Sequence, residues 1–388
     1  MTTSASGVPY PHSLGTLRYV DMGNSRYRVG IVGATWIAVR KTPAPPPPFA
    51  NNIGNAISLS HASTLAALPN MELVAVCDLV PELLDDFKSS WADDLPDANT
   101  YTDYREMLAN ENLDIIVVAT SDNRHTDIVV DGARAGVKGI LCEKPLATSL
   151  EDADRMIRAC GELGVPLHVN HNRRWNSLIH MVRDEIRSGL IGGLGSIVVS
   201  HGGPRAMLFR SGTHMIDAIC FFAESEPAQV VGVLEDGFDD WDRYRGDGGR
   251  LPENDPSASG MILFENGVRV LYDGSKDTIL SSDFMRLRGS EGEISFNLDA
   301  RGPAVVRKYD SDARVPVTHT LHPIQYQVQG LAATYAELIE VIENGGTGVS
   351  TAVEARKTLQ IMLGFLKSHQ QGNRLVDVPS RNPGSFHY

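Results

Sequence analysis

Cysteine is scarce and unpaired in this chain of 388 residues. Cys77, Cys142, Cys160 and Cys220 form no CxxC pattern, so neither a disulfide framework nor a cysteine metal centre is written in the sequence. Each lies in an apolar stretch, where a thiol behaves as a small hydrophobe. Long apolar runs are missing too. Nowhere do about 18 apolar residues follow one another, and residues 1–26 hold no apolar core of signal-peptide length, which gives the expectation of a cytoplasmic protein without a membrane span. Positive charge is in deficit, with 35 Lys and Arg against 48 Asp and Glu and a net charge of −13. Nucleic acid and anionic membranes recruit clustered cations, so neither is expected as a partner; a small molecule is.

What is present suits a two-domain globular protein, 42% hydrophobic and 21% charged. Apolar runs bounded by turn residues fall at 28–33, 72–78, 114–120, 137–142 and 166–170, with amphipathic segments at 102–109, 124–135 and 149–163 between them. Alternating strands and helices of this kind build a doubly wound parallel sheet buried on both faces. Thr148 and Glu151 are spaced as a capping box for the 149–163 helix, which Gly164 and Pro166 close. From about Leu194 to Val317 the pattern changes to longer strands with glycine-rich turns, at 194–201, 229–234, 257–264, 267–273, 284–289 and 293–297. Asn266-Gly267 is a strong hairpin signal, so a mostly antiparallel second sheet is expected. Helical patterns return at 331–344 and 351–368, and Pro45–Pro48 excludes helix from one stretch near the N-terminus.

Chemistry gathers at the expected strand ends. After the first strand, Gly33, Thr35 and Ala38 occupy the three positions of a GxGxxG/A dinucleotide turn, with Trp36 and Ile37 between them. Threonine at the second position brings a Cβ where a pyrophosphate approaches the backbone. Asp78 ends the second strand, where a carboxylate accepts from ribose hydroxyls and repels a 2′-phosphate, favouring NAD over NADP; capping a turn before Pro81 is the other reading. Thr120, Ser121, Asn123 and His125 follow the third strand, and the hydroxyls there either line a ribose or cap the next helix. Glu143-Lys144-Pro145 closes another strand and puts an ammonium at the sheet edge where ligands bind, while His214 offers a second proton-transfer group.

Together these segments resemble the glucose-fructose oxidoreductase/inositol dehydrogenase (Gfo/Idh/MocA) family. The pieces run in the family's order: GIVGATWIA at 30–38, HASTLAALPNMELVAVCD at 61–78, VVATSDNRH at 117–125, EKPLATS at 143–149, NRRW at 172–175 and GTHMIDAICFF at 212–222. The resemblance covers nearly all of 27–378, and EKP with the downstream GTHxxD is its most specific part. It implies an α/β protein: an N-terminal Rossmann dinucleotide-binding domain over 27–173, carrying a proline-rich insertion at 39–60, and a C-terminal α/β domain over 174–350 with a large, mostly antiparallel open sheet. Residues 1–26 form an extension, and a C-terminal helix and tail, 351–388, pack back towards the Rossmann domain. The resemblance further implies Lys144 and His214 as catalytic residues, NAD as cofactor beside Glu143 and Lys144, no metal, and a homodimer or homotetramer built through the C-terminal sheet. Arg173, Arg174, Trp175 and Arg210 join Lys144 and His214 as expected substrate contacts.

One departure stands out. The family usually places an aspartate four residues before the histidine, and this chain has Arg210 there. A guanidinium cannot relay protons at neutral pH. It either keeps His214 neutral by charge repulsion or binds a carboxylate or phosphate of the substrate, with Arg173, Arg174 or Arg205. The activity implied is oxidation of a secondary hydroxyl of a sugar, polyol or related cyclic alcohol, carboxylated or not. The altered position leaves two alternatives: a non-catalytic cofactor-binding regulator, or an NAD-retaining glycosidase.

Overall fold

The computed structural model describes residues 25–41, 60–241, 243–246, 251–298, 302–323 and 330–378. Most of the expected extension at 1–26, the Pro45–Pro48 run of the insertion and the tail after 378 lie outside the described residues.

Six strands form the first sheet: β1 (Tyr27–Val32), β2 (Met71–Cys77), β3 (Asn99–Tyr101), β4 (Ile115–Val118), β5 (Gly139–Cys142) and β6 (Leu167–Val169). They are parallel and lie in the order β3-β2-β1-β4-β5-β6. All four residues of β4 and of β5 are buried, because helices cover both faces. The strand order reverses between β1 and β4, and a crevice opens outside the carboxyl ends at such a switch point. Helix 150–163 starts one residue later than the expected capping box. Ser149, not Thr148, is the cap: its hydroxyl accepts from the Asp152 N–H at 3.1 Å and donates to the Asp152 carboxylate at 2.9 Å. Thr148 makes no such bond in that role because the chain is still extended at Ser149.

The second sheet holds β7 (Leu194–Gly202), β8 (Pro227–Leu234), β9 (Ala258–Phe264), β10 (Arg269–Ser275), β11 (Ser282–Gly289), β12 (Gly292–Asn297), β13 (Ala304–Asp310), β14 (Val315–Leu321) and β15 (Val376–Asp377). Its order is β14-β13-β12-β11-β7-β10-β9-β8-β15, and every neighbouring pair is antiparallel except β10 with β7. The expected strands end at β12, and β13 and β14 extend the sheet beyond them. The added edge strand β14 is exposed along nearly its whole length and contains Pro316, so it lacks the alternation of buried and exposed residues that marks a half-buried strand.

Helices join the two sheets. Helix 213–223 is buried at every residue, and helix 352–370 packs on it and across β8. The 330–344 helix returns to the first sheet, where Tyr335, Leu338 and Ile339 share a buried cluster with Ile31, Ile115 and Leu141. The 330–344 helix covers one Rossmann face, and the 352–370 helix, besides spanning β8, packs on helix 150–163 and β6, with Arg356 paired to Asp154. No helix among the described residues is long and apolar enough to cross a membrane.

Candidate active site

A cleft of about 2200 Å³ runs along the carboxyl ends of β1, β2, β4 and β5 and reaches the 205–214 segment of the second domain. At its β1 end the chain turns sharply at Gly33, whose φ of +105° is a glycine conformation. A Cβ there would sit 2.4 Å from the Ala119 carbonyl oxygen, so the turn and the end of β4 touch backbone to backbone. Asp78 fixes the turn from below: one carboxylate oxygen accepts from the Ala34 N–H at 2.7 Å, the other from the Val80 N–H at 3.0 Å. Thr35 heads the Trp36–Val39 helical turn without a side-chain capping bond. The indole of Trp36 is 54% exposed, with the Arg40 guanidinium 5.1 Å from its ring. A glycine cradle, the first N–H groups of a helical turn and a carboxylate at the end of β2 are what a dinucleotide's pyrophosphate and ribose require, so the residues fit that cofactor. Gly33→Ala should lower stability by at least about 1–2 kcal/mol from left-handed strain alone, with a further loss from the clash. Thermal denaturation and a cofactor titration should show both the lower Tm and the loss of binding.

Thr120, Ser121 and Asn123 line the same cleft beyond β4. The capping alternative finds no bond to rest on, since the Ser121 side chain caps nothing in the short turn that follows. Asp122 was not singled out from the sequence. It is buried, accepts a short hydrogen bond from the Tyr244 hydroxyl, and has its pKa raised by burial. Tyr244, from the long loop after β8, stacks on Phe209 with centroids 3.7 Å apart.

At the β5 end lie the proton-transfer groups. The Lys144 Nζ donates to the Arg210 carbonyl at 2.7 Å, bridging the two domains. Burial lowers its pKa, the Glu143 and Asp122 carboxylates oppose that, and the charges of Arg210 and Arg173 add to it. His214 is 8% exposed, and its Nδ1 has no hydrogen-bond partner. Burial, then the charges of Arg173 and Lys144, hold its pKa well below 6.5. The imidazole is therefore neutral at pH 7 and able to accept a proton. Glu143 is buried, which alone would keep it protonated. Hydrogen bonds from His61 at 3.0 Å and Asn170 at 2.6 Å, with the charges of His61 and Lys144, outweigh burial and hold it at about 2. His61 is itself set by the Tyr335 hydroxyl at 2.7 Å from its Nδ1.

Arg210, Arg205 and Arg173 line the cleft beside His214. Backbone N–H groups of Phe209 and Arg210 both donate to Asp255, at 3.0 and 2.8 Å, and burial pushes that carboxyl up to about 7. Asp255 thereby anchors the loop whose carbonyl holds Lys144. Nothing in the sequence marked it, because its partners are backbone groups more than 40 positions away.

Three expected site residues face elsewhere. His125 is fully buried, with Nδ1 3.2 Å from the carbonyls of Pro145 and Leu146 and Nε2 3.3 Å from that of Thr120; it braces the Lys144 loop from behind. Arg174 is 2% exposed and donates to Asp217 at 2.8 Å and to the Val349 carbonyl at 2.6 Å. The Trp175 indole donates to Glu337 at 3.2 Å. Of NRRW, Asn172 and Arg173 line the cleft and the last two residues do not.

The profile of the Gfo/Idh/MocA oxidoreductases, an oxidoreductase family with an NAD-binding Rossmann fold, matches residues 50–171. A D-apiose dehydrogenase of Paraburkholderia graminis is 25% identical over 345 residues, which span 83% of this chain and 87% of that protein. A 1,5-anhydro-D-fructose reductase of Ensifer adhaerens is 26% identical over 70% of this chain and 82% of its own length. A myo-inositol 2-dehydrogenase of Thermotoga maritima is 31% identical over 35% of this chain and 39% of that one. In fold the chain is similar to an Agrobacterium radiobacter oxidoreductase solved with NAD+, L-tartaric acid and magnesium (TM-score 0.68, 19% identity, 91% of this chain and 99% of that one). It is similar also to a 3-ketoreductase of Actinomadura kijaniata solved with NADP (TM-score 0.65, 19% identity, 89% and 98%). Profile, relatives and the two-sheet architecture agree: over residues 50–171 the chain matches the Gfo/Idh/MocA oxidoreductases with their NAD-binding Rossmann fold, and along most of its length it is similar to dehydrogenases and reductases of sugars and polyols.

Proposed function

We propose that this protein is an NAD-dependent dehydrogenase that moves hydride between a secondary hydroxyl of a sugar, polyol or related cyclic alcohol and nicotinamide, with Lys144 and His214 handling the hydroxyl proton. The observation that carries the reading is the convergence of a lowered-pKa lysine and a neutral, unpartnered imidazole in one cleft with the Gly33 turn. When bound, the cofactor accepts or returns the hydride. The protein's part is to orient the alcohol and to take the proton from its oxygen. The lowered pKa of Lys144 moves it towards the range a general base needs, and the neutral His214 imidazole can accept a hydrogen bond from the hydroxyl beside it. The relatives that act on apiose, anhydrofructose and inositol support a polyhydroxylated substrate. A substrate deuterated at the reacting carbon tests the reading: deuterium should be recovered on the nicotinamide, and its release to solvent instead would sink it.

The finer preference for NAD rests on Asp78, whose carboxylate stands at the end of β2 beside the turn. A 2′-phosphate placed there meets like charge. Asp78→Ser should raise the ratio of kcat/KM for NADP to that for NAD by about tenfold or more, the effect of relieving one close like-charge contact. An unchanged ratio in steady-state kinetics would remove Asp78 from cofactor selection.

Arg210, with Arg205 and Arg173 beside it, supports a carboxylate or phosphate on the substrate. Arg210→Ala should then raise KM for an acidic substrate far more than for its neutral analogue. Equal changes for both would remove Arg210 from substrate-anion recognition; the neutral state of His214 is set by burial and the charges of Arg173 and Lys144.

A further inference from the structure

A second cavity, of about 470 Å³, lies behind the Asn172–Trp175 segment, between helix 150–163, β6, helix 213–223 and the loop leading into helix 352–370. It shares no lining residue with the cleft. Its volume is that of an ordinary small-molecule site. In a chain of net charge −13, four cations line it: Arg174, Arg183, Arg187 and Lys357. Three have carboxylate partners, in Asp217, Glu224 and the Glu226/Glu354 pair. Arg183 has none within ion-pair distance among the described residues. Its guanidinium lies 4.0 Å over the Phe221 ring and reaches only the His180 ring, at 3.3 Å.

Buried polar atoms here lack partners in unusual number. Arg183 Nε, Arg174 Nη2 and both ring nitrogens of His168 have no hydrogen bond, although Arg174 is 2% and His168 1% exposed. Each such group carries a desolvation cost of about 1–3 kcal/mol until a partner arrives, and more where it is charged. Burial draws the Arg183 pKa down to about 10, and the neighbouring Arg187 charge adds to the shift. The wall also carries the Glu224 and Glu354 carboxylates, each already held in an ion pair with a cation, and apolar surface that includes Leu167 and the Phe221 ring. Unpaired cationic donors on one side and hydrocarbon on the other define an amphiphilic ligand.

We propose that this cavity binds a small organic anion, a carboxylate or phosphate carried on an apolar body, with Arg183 and Arg174 donating to the anion and the Phe221 side holding the apolar part. His168 is placed to meet a hydroxyl or carbonyl of the same ligand. The site is separate from the reaction cleft, and Arg173 and Arg174, adjacent in the chain, serve the two cavities from opposite sides.

Calorimetric titration of the full chain, saturated with NAD, against benzoate, phenyl phosphate and inorganic phosphate tests this. Saturable binding of benzoate or phenyl phosphate is expected, retained in Arg210→Ala, and weakened about tenfold or more in Arg183→Met, the weight of one charge-assisted hydrogen bond. Val353→Trp, which fills the cavity and leaves the arginines in place, should abolish it and decides the matter if Arg183→Met fails to fold. Binding lost in Arg210→Ala instead would place the anion in the reaction cleft and overturn the proposal. So would the absence of saturable binding, or phenyl phosphate binding no tighter than inorganic phosphate.

Discussion

Lys144→Met should slow alcohol oxidation by about 10²–10⁴-fold, the usual contribution of a positioned acid–base group, while leaving cofactor affinity within about threefold of the wild type. Methionine keeps most of the stem and removes the ammonium, so the apolar packing survives and only the proton transfer is lost. The Gly33 turn and Asp78, which we assign to the cofactor, lie at the other end of the cleft from the Lys144 ammonium, which donates to the Arg210 carbonyl. The pH profile has a defined sign. A base works in its deprotonated form, so oxidation should rise with pH as the base loses its proton. His214 stays neutral far below pH 6.5, so the acid limb of the wild type reports mainly on Lys144, whose pKa is itself lowered. In Lys144→Met that limb should disappear. Steady-state rates with a cofactor titration separate the two effects; equal losses in kcat and cofactor binding would mark the lysine as a cofactor contact alone.

Arg174→Leu should cost about 3–5 kcal/mol of stability, the range for removing one partner of a buried ion pair. The reason lies in Asp217, which is 1% exposed and takes its main hydrogen bond from the Arg174 Nε. Its other neighbours are the Thr358 hydroxyl at 3.4 Å and the His171 ring nitrogen at 3.2 Å, too few to hold a buried carboxylate once the guanidinium is gone. The cavity left by the side chain adds to the loss. The double variant Arg174→Leu/Asp217→Leu should recover part of it, since no lone charge then remains. Urea denaturation of the two variants checks this. An arginine that bound substrate would behave differently, with an unchanged midpoint and a raised KM.

The contrast between Arg173 and Arg174 shows how far a sequence carries. The strands β1, β2, β4, β5 and β6 are buried on both faces, so their apolar runs are continuous and legible, and the residues just after them fall at the sheet edge by topology alone. Gly33, Asp78, Thr120 and Lys144 could be placed in that way. Which of two neighbouring arginines faces a cleft depends on the local turn at Asn172–Trp175, and nothing in NRRW specifies it. His125 was misdirected for a related reason: it follows the β4 edge in sequence, but the turn at Asp122–Arg124 rotates it inward onto the Pro145 and Leu146 carbonyls. Asp255 and Asn170 act on residues distant in sequence, Asp255 through backbone N–H groups and Asn170 on Glu143, relations with no periodicity to read. The exposed strand β14 was missed because a strand without a buried face has no alternating pattern.

The measurement that bears most directly on the function is the absorbance of reduced nicotinamide formed by the full-length protein with NAD across a panel of aldoses, polyols and uronates. Reduction of the cofactor by at least one secondary alcohol of the panel, slowed about 10²–10⁴-fold in Lys144→Met, is the expected result. Tight cofactor binding with no reduction by any member would contradict the proposed chemistry and leave the protein a cofactor-binding regulator.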